Sequence, residues 1–233
     1  PIVLIGSSHL LKKQLNKLKI KYDNKMINLI NDDLKGLQKD KINLINVNYN
    51  FNKPFEKISF KSNKYISCCF EIAFNIIKKN KISGLINGPI SKKYFLKNRY
   101  LGITEFLAYH FKARENYGML IYNKKLSVLP ITTHLPISKV RKNITKKSII
   151  IKSMLINDFY KNLFSFKPKI AICGLNPHCE NFLQKKSEEN KDIVPAINYL
   201  KKKKVNIKGP FAADTIFLDN MRKKYDVIIG MYH

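Results

Sequence analysis

The sequence lacks the features that mark several large classes of protein. No apolar stretch is long enough to span a membrane, and the first residues show no signal-peptide pattern. None of the cysteines has C-x-x-C spacing, two are adjacent within a predicted helix and one lies within a predicted strand, so a disulfide framework is not indicated. They are Cys68, Cys69, Cys173 and Cys179. We therefore expect reduced, buried thiols in a cytoplasmic protein that has no membrane partner.

Acidic residues are also scarce: 16 Asp and Glu stand against 44 Lys and Arg, which gives a formal net charge of +28. Such a charge makes a basic nucleic-acid-binding protein one alternative. However, the lysines are spread along the whole chain, with one compact run at residues 201–204, and no aromatic-basic motif accompanies them. We interpret most of the charge as solvated surface and expect no nucleic-acid partner, although a positive field attracts phosphorylated substrates and dinucleotides.

The nine glycines include no G-x-G-x-x-G fingerprint, and the single Gly6 after the first apolar run is far short of one. What the chain does contain is an alternation of short β-branched runs and amphipathic stretches, which predicts an α/β protein with a largely parallel sheet. The predicted strands are residues 2–5, 26–30, 42–47, 82–86, 117–122, 126–131, 170–173 and 227–232. The predicted helices are residues 9–18, 62–80, 104–110, 145–164 and 191–203.

Apolar residues at helical spacing predict the buried faces of the two last helices. In the helix at 145–164 the expected stripe is Ile151, Leu155, Phe159 and Leu163. In the helix at 191–203 it is Ile193, Ala196, Ile197 and Leu200. No linker marks a domain boundary, and the segment near residue 100 is the best candidate hinge.

Three histidines each follow a short apolar run: His134, His178 and His233. In open α/β sheets ligands collect beyond the carboxyl ends of the strands, so these imidazoles could converge on one site. Neutral imidazole is the commonest metal ligand, and three histidines with one open position form a known catalytic zinc arrangement. The alternative is that each histidine caps a strand or forms a hydrogen bond in a loop, and spacing alone does not decide between the two.

Thr104 stands where the N-cap of the helix at 104–110 is expected. Its hydroxyl and the free backbone amides of the first helical turn could hold a phosphate or carboxylate group. Capping of the helix without any ligand is the alternative, and it is equally compatible with the sequence.

Six short motifs follow one another along the second half of the chain. They are Asn-Gly-Pro-Ile-Ser-Lys at 87–92, Gly-Ile-Thr-Glu-Phe-Leu-Ala at 102–108, Thr-Thr-His-Leu-Pro at 132–136, Cys-Gly-Leu-Asn-Pro-His at 173–178, Gly-Pro-Phe-Ala-Ala-Asp-Thr at 209–215 and Met-Tyr-His at 231–233. In this order they resemble the 4-hydroxythreonine-4-phosphate dehydrogenase family of pyridoxal phosphate (vitamin B6) biosynthesis. The resemblance covers residues 82–233 firmly and the earlier part weakly.

The resemblance implies a fold similar to isocitrate and isopropylmalate dehydrogenases, with two α/β/α domains around a cleft. Residues 1–101 would form a first, incomplete α/β domain, and residues 102–233 a second α/β domain that carries the three histidines. The family forms homodimers whose active sites contain residues of both subunits. The chain would then be an internal fragment that lacks both ends of the family fold.

The resemblance also assigns residues. The family's three metal-binding histidines fall on His134, His178 and His233. Its substrate-binding His-Thr pair falls on Ile103 and Thr104, so only the threonine matches. Asp214 is a candidate for orienting a histidine, although it could equally cap the short helix after it. No cofactor-binding residue is identified.

The chemistry implied is oxidation of 4-phosphohydroxy-L-threonine by NAD or NADP, followed by decarboxylation to 3-amino-2-oxopropyl phosphate. A divalent metal (zinc, magnesium or cobalt) would lower the pKa of the substrate hydroxyl and stabilise the enolate. Because Ile103 replaces the family's histidine, a sister dehydrogenase that acts on 4-phosphothreonate or 4-phosphoerythronate is the alternative. We expect the 233-residue fragment alone to be inactive.

Overall fold

A computed structural model describes residues 1–21, 26–28, 34, 36–79, 82–97, 99–179 and 187–233, with residues 26–28 described by their backbone only. The chain divides into two compact units, Pro1–Tyr100 and Leu101–His233. Both contain parallel sheets with helices, so the predicted α/β class is confirmed. The end of the predicted strand at 26–30 and the last residue of the predicted helix at 62–80 lie outside the described residues.

The first unit contains a parallel sheet in the order β1-β3-β2. Its strands are β1 (Val3–Gly6), β2 (Met26–Asn28) and β3 (Ile42–Asn46), and its helices are α1 (Ser8–Lys17) and α2 (Asn63–Lys79). Ser7 caps α1, since its hydroxyl accepts a hydrogen bond from the Leu10 amide at 3.2 Å. The large apolar side chains that α2 buries are Phe70, Phe74 and Ile76.

The strand predicted at residues 82–86 is wrong, because this segment is irregular in the structure. Its apolar side chains do not enter a core: Ile82 is 38% exposed and Ile86 is 89% exposed. A short apolar run predicts a buried strand only if a neighbouring strand supplies hydrogen bonds. No strand in the described part of the first unit pairs with this segment.

The second unit contains the longer helices and a second parallel sheet. Its strands are β4 (Ser127–Thr132), β5 (Ile170–Cys173), β6 (Ile207–Phe211) and β7 (Val227–Tyr232). Its helices are α3 (Ile103–His110), α4 (Ile137–Asn143), α5 (Lys146–Phe164), α6 (Val194–Lys202) and α7 (Asp219–Arg222). A π-helical turn, Glu189–Ile193, leads directly into α6. None of the helices in the described part of the chain combines the length and apolarity that a membrane span requires.

The second sheet has the order β4-β7-β5-β6, and all three strand pairs are parallel. Alternation along the strands divides the core between the two faces of the sheet. Ile170 and Ile172 of β5 belong to the larger cluster beneath α5 and α6, whereas Ala171 and Cys173 contact Ile216 on the opposite face. Each fully buried isoleucine contributes roughly 1.5–3 kcal/mol to folding, so this sheet is the principal core of the unit.

The buried face of α6 agrees with the prediction, since Ile193, Ala196, Ile197 and Leu200 are all buried. The stripe predicted for α5 is wrong: Phe159 is 41% exposed and Leu163 is 58% exposed. The face that is buried instead carries Ile149, Ser153, Ile156, Asn157 and Tyr160. Both stripes of α5 have helical spacing, and hydrophobic periodicity does not determine which of two apolar stripes meets the sheet.

The predicted strand at residues 117–122 is reduced to one antiparallel bridge between Ile121 and Val128. The four cysteines are free thiols; Cys173 and Cys179 are buried, and Cys68 and Cys69 are partly exposed. The expected burial therefore holds for two of the four, and the expectation of reduced thiols stays a prediction.

Gly209 in β6 is required by its backbone conformation. Its φ is +138°, and a Cβ atom there would lie 2.5 Å from the carbonyl oxygen of Ile172. We predict that Gly209→Ala lowers the free energy of unfolding by about 2–4 kcal/mol, measured by urea denaturation. Gly230→Ala in β7 is the control, because its Cβ would meet no atom closer than 3.7 Å. Equal stability of the two variants would contradict the prediction.

The thiols are predicted to differ in reactivity. Burial raises the pKa of Cys173 to about 12 and that of Cys69 to about 11. A raised pKa leaves less thiolate at pH 8, so Cys173 should carry about a thousandfold less of the reactive form than a free thiol. We expect iodoacetamide at pH 8 to modify the partly exposed Cys68 first and Cys173 only after unfolding, as read by mass spectrometry. Labelling of native Cys173 at the rate of Cys68 would contradict this.

Candidate functional site

The carboxyl ends of the second sheet bring the predicted site residues to one edge. His134 lies two residues after β4, His233 directly after β7, and His178 five residues after β5. Asp214 lies three residues after β6. Because the strand order is β4-β7-β5-β6, these residues follow one another along the edge as His134, His233, His178 and Asp214.

His134 and His233 face each other across the outermost strand pair. Their ring centroids are 6.0 Å apart and their planes differ by 27°. The hydroxyl of Thr132 donates a 2.9 Å hydrogen bond to the Met231 carbonyl, which joins the two strands directly before the histidines. The backbone of His134 has φ +52°, a left-handed conformation that is uncommon for a residue other than glycine.

Glu105 of α3 is a residue of this site that sequence reasoning missed. Its Oε1 accepts a 3.1 Å hydrogen bond from the Thr133 hydroxyl and lies 3.9 Å from Nδ1 of His134. Gly102 makes this approach possible, since a Cβ there would lie 3.1 Å from both Glu105 Oε2 and His134 Cε1. The sequence signal for Glu105 is the motif Gly-Ile-Thr-Glu at 102–105, which by itself predicts only a helix start.

The predicted N-cap at Thr104 is wrong. The cap of α3 is Gly102, which is fully extended, and the helix begins at Ile103. Glycine is accepted at the N-cap position although it has no side chain that could accept a hydrogen bond from the free amides. Thr104 is therefore the second residue of the helix and stays in the first turn, where backbone amides have no helical acceptor.

Thr104 and Glu105 line a cavity of about 450 Å³ that lies within the second unit. Four basic side chains share its wall: Arg114, Lys142, Lys147 and Lys152. Lys152 is half-buried, its ammonium lies 4.3 Å from the centroid of the Tyr117 ring, and burial lowers its pKa. The excess of positive charge suits a small anionic ligand. A larger cavity of about 590 Å³ in the first unit is lined by apolar residues, two lysines and Asn43, and it contains none of the predicted site residues.

His178 lies on the loop that follows β5 and has φ +54°. Its Nδ1 is 3.1 Å from Oδ2 of Asp214, and both side chains are more than half exposed. A carboxylate beside Nδ1 fixes the orientation of the imidazole and leaves Nε2 as the nitrogen available to a ligand. The structure thus pairs Asp214 with a histidine, rather than with the start of α7 at Asp219.

The donor types at this edge match a divalent metal: three imidazoles and an adjacent carboxylate on one histidine. The structure brings His134 close to His233, and His178 close to Asp214. Among the described residues, however, no three His, Cys, Asp or Glu side chains are gathered closely enough to hold one ion. The shared metal site stays a prediction that rests on donor type and strand placement.

Comparison with known proteins finds relatives of the chain among dehydrogenases. The chain is 37% identical to 4-hydroxythreonine-4-phosphate dehydrogenase of Sulfurihydrogenibium sp. (strain YO3AOP1), over 99% of the chain and 70% of that protein. It is 30% identical to D-threonate 4-phosphate dehydrogenase of Salmonella typhimurium (strain LT2), over 71% of the chain and 51% of that protein.

A crystal structure of 4-hydroxythreonine-4-phosphate dehydrogenase from Klebsiella pneumoniae superposes with a TM-score of 0.83 at 25% identity. The superposition covers 100% of this chain and 72% of that one, so the chain spans only part of the length of these proteins. The family described as pyridoxal phosphate biosynthetic protein PdxA matches residues 1–233. This match along the whole sequence, together with the parallel α/β fold, places the chain in the PdxA family.

Proposed function

We propose that the protein is a metal-dependent dehydrogenase that oxidises and decarboxylates 4-phosphohydroxy-L-threonine with NAD or NADP. One observation carries the proposal: His134, His233, His178 and Asp214 occupy successive strand ends of one sheet in a PdxA-family chain. Relatives named as dehydrogenases of phosphorylated four-carbon acids support the same class of reaction. The product would be 3-amino-2-oxopropyl phosphate, a precursor in pyridoxal phosphate biosynthesis.

The metal would be held by His134, His178 and His233, and zinc, magnesium or cobalt would be candidates. When bound, the ion supplies Lewis-acid chemistry, which acidifies an alcohol and stabilises negative charge that develops on oxygen. Asp214 holds the Nδ1 side of His178, so the imidazole offers its other nitrogen. We also propose that the enzyme is a cytoplasmic homodimer whose active sites are shared between subunits.

The substrate would place its anionic end near α3. Thr104 offers a hydroxyl, and the amides of the first helical turn and the lysines of the adjoining cavity favour negative charge. Oε1 of Glu105 accepts the hydrogen bond from the Thr133 hydroxyl and lies 3.9 Å from Nδ1 of His134. Thr104 and the basic side chains would position the anionic end of the substrate.

A second candidate is a sister dehydrogenase of D-threonate 4-phosphate or a similar phosphorylated sugar acid. Ile103 keeps this candidate open, because the family's substrate-binding histidine would stand at this position and an isoleucine side chain offers no hydrogen bond. One of the relatives named for D-threonate 4-phosphate is 30% identical to the chain.

We predict that the full-length reading frame reduces NAD when 4-phosphohydroxy-L-threonine is added, and that a chelator abolishes this activity. His178→Ala should lower kcat on the order of 100-fold or more, because the proposed ligand is lost. His9→Ala is the matched control, since His9 is exposed and lies in the first unit. Wild-type turnover by His178→Ala, or turnover that survives chelation, would contradict the metal-dependent reaction. We expect the 233-residue fragment to be inactive in the same assay.

A second prediction concerns the choice of substrate. If Ile103 lies at the substrate, Ile103→His should raise kcat/KM for 4-phosphohydroxy-L-threonine by about tenfold, the effect of one added hydrogen bond. Ile103→Leu should change nothing, because it supplies no hydrogen bond. The ratio of kcat/KM for 4-phosphohydroxy-L-threonine and D-threonate 4-phosphate distinguishes the two candidate functions. Identical ratios in all three proteins would show that residue 103 does not contact the substrate.

A further inference from the structure

Glu189 is a fully buried carboxylate at the start of the π-helical turn before α6. Its Oε1 accepts hydrogen bonds from the backbone amides of Leu175 at 3.0 Å and Asn176 at 2.9 Å. Its Oε2 accepts a third, at 2.8 Å, from the side-chain amide of Asn176. All three hydrogen bonds therefore go to the loop that follows β5.

The environment of Glu189 keeps it charged. Burial by itself raises the pKa of this carboxyl, but the hydrogen bonds from Asn176 and Leu175 outweigh burial and lower the pKa below its ordinary value. A buried charge is costly unless hydrogen bonds compensate it, so a purely apolar contact would be the simpler way to fill this space. The negative charge of Glu189 is compensated instead by three hydrogen-bond donors, all of which belong to the loop after β5.

A second carboxylate, that of Glu188, also binds this loop. Glu188 Oε2 accepts a 3.1 Å hydrogen bond from the side-chain amide of Asn176, and Glu188 Oε1 is paired with Nε of Arg141 in α4. The side-chain amide of Asn176 thus donates to both carboxylates, which fixes the residue two positions before His178.

The loop needs such support because its backbone is strained. His178 and Cys179 are consecutive left-handed residues, with φ of +54° and +57°. Residues other than glycine hold this conformation only where the surroundings impose it. The side chain of Cys179 is buried and packs against Gly174. A Cβ atom added at Gly174 would lie only 2.2 Å from the Cys179 sulfur.

We propose that Glu189 is a positioning residue that holds the loop after β5 so that His178 is presented at the carboxyl edge of the sheet. The inference rests on the proposed function in so far as His178 is taken to be a metal ligand. Glu189 does not touch the ligand site itself. It acts through the backbone of Leu175 and Asn176, and the chain continues from there through Pro177 to the imidazole.

Glu189→Gln tests the proposal with a minimal change of shape. A glutamine can still offer one oxygen to the two backbone amides, but its own amide then faces the side-chain amide of Asn176, donor against donor. Asp192→Asn is the matched control. Asp192 lies in the same π-helical turn and accepts a 2.9 Å hydrogen bond from the Lys146 amide at the start of α5, away from the loop.

The first readout is the imidazole ¹⁵N spectrum of the metal-free, full-length protein, with the His178 signals assigned by their loss in His178→Ala. We expect the His178 signals to shift or split in Glu189→Gln while those of His134 and His233 stay unchanged. The second readout is Co²⁺ binding by the same protein, which should weaken by about 10–100-fold. Asp192→Asn should resemble wild type in both. The thermal midpoint reports stability separately.

Unchanged His178 signals and Co²⁺ affinity in Glu189→Gln would overturn the proposal, and a lowered thermal midpoint alone would then show a purely structural role. If this variant does not fold, Asn176→Ala decides, because it keeps the two backbone hydrogen bonds to Glu189 and removes the side-chain hydrogen bonds from Asn176 to Glu189 and Glu188. It should shift the His178 signals and weaken Co²⁺ binding about threefold or more, and unaltered signals would overturn the proposal. Wild-type protein that binds no Co²⁺ would contradict the proposed metal site, whereas the ¹⁵N comparison would still test the role of Glu189.

Discussion

Parallel hydrogen bonding among β4, β7, β5 and β6 is the constraint on which the candidate site depends. Because all the strands run in one direction, every segment that leaves a carboxyl end emerges at the same edge. The register sets how far each segment extends, with Thr132 opposite Tyr232 and Cys173 opposite Phe211. A shift of one residue would exchange the two faces of a strand, and the fully buried isoleucines of β5 and β7 strongly oppose it.

Carboxylates organise this edge in a chain where acidic residues are scarce. Glu105 binds the Thr133 hydroxyl beside His134, and Asp214 stands against Nδ1 of His178. Glu189 holds the loop backbone from within the core. Each of these acids has a specific partner at the site, whereas the far more numerous lysines are spread over the whole sequence. The net charge of +28 therefore comes from lysines spread over the whole sequence, whereas these few carboxylates contact the residues of the candidate site.

The sequence predictions were accurate where nearby residues determine the structure and wrong where a distant partner does. Residues 170–173 and 227–232 were predicted at their true limits, because buried parallel strands are short, continuous and β-branched. The predicted strand at 82–86 was wrong, because no local property tells whether a strand partner exists. The stripe of α5 was wrong because two apolar stripes compete and only the sheet selects one. The cap of α3 was misplaced by two residues, since Gly102 caps through its backbone alone.

The sequence by itself determined the α/β class, the family and the placement of His134, His178 and His233 after apolar runs, because these follow from local periodicity and ordered motifs. Only the tertiary structure decided which strands are neighbours, and hence that His134 faces His233 while His178 meets Asp214. It alone revealed the hydrogen bonds of Glu189, whose partners lie 13 and 14 residues earlier in the chain. Contacts of this kind depend on strand order and on buried hydrogen bonds, and local sequence patterns carry neither.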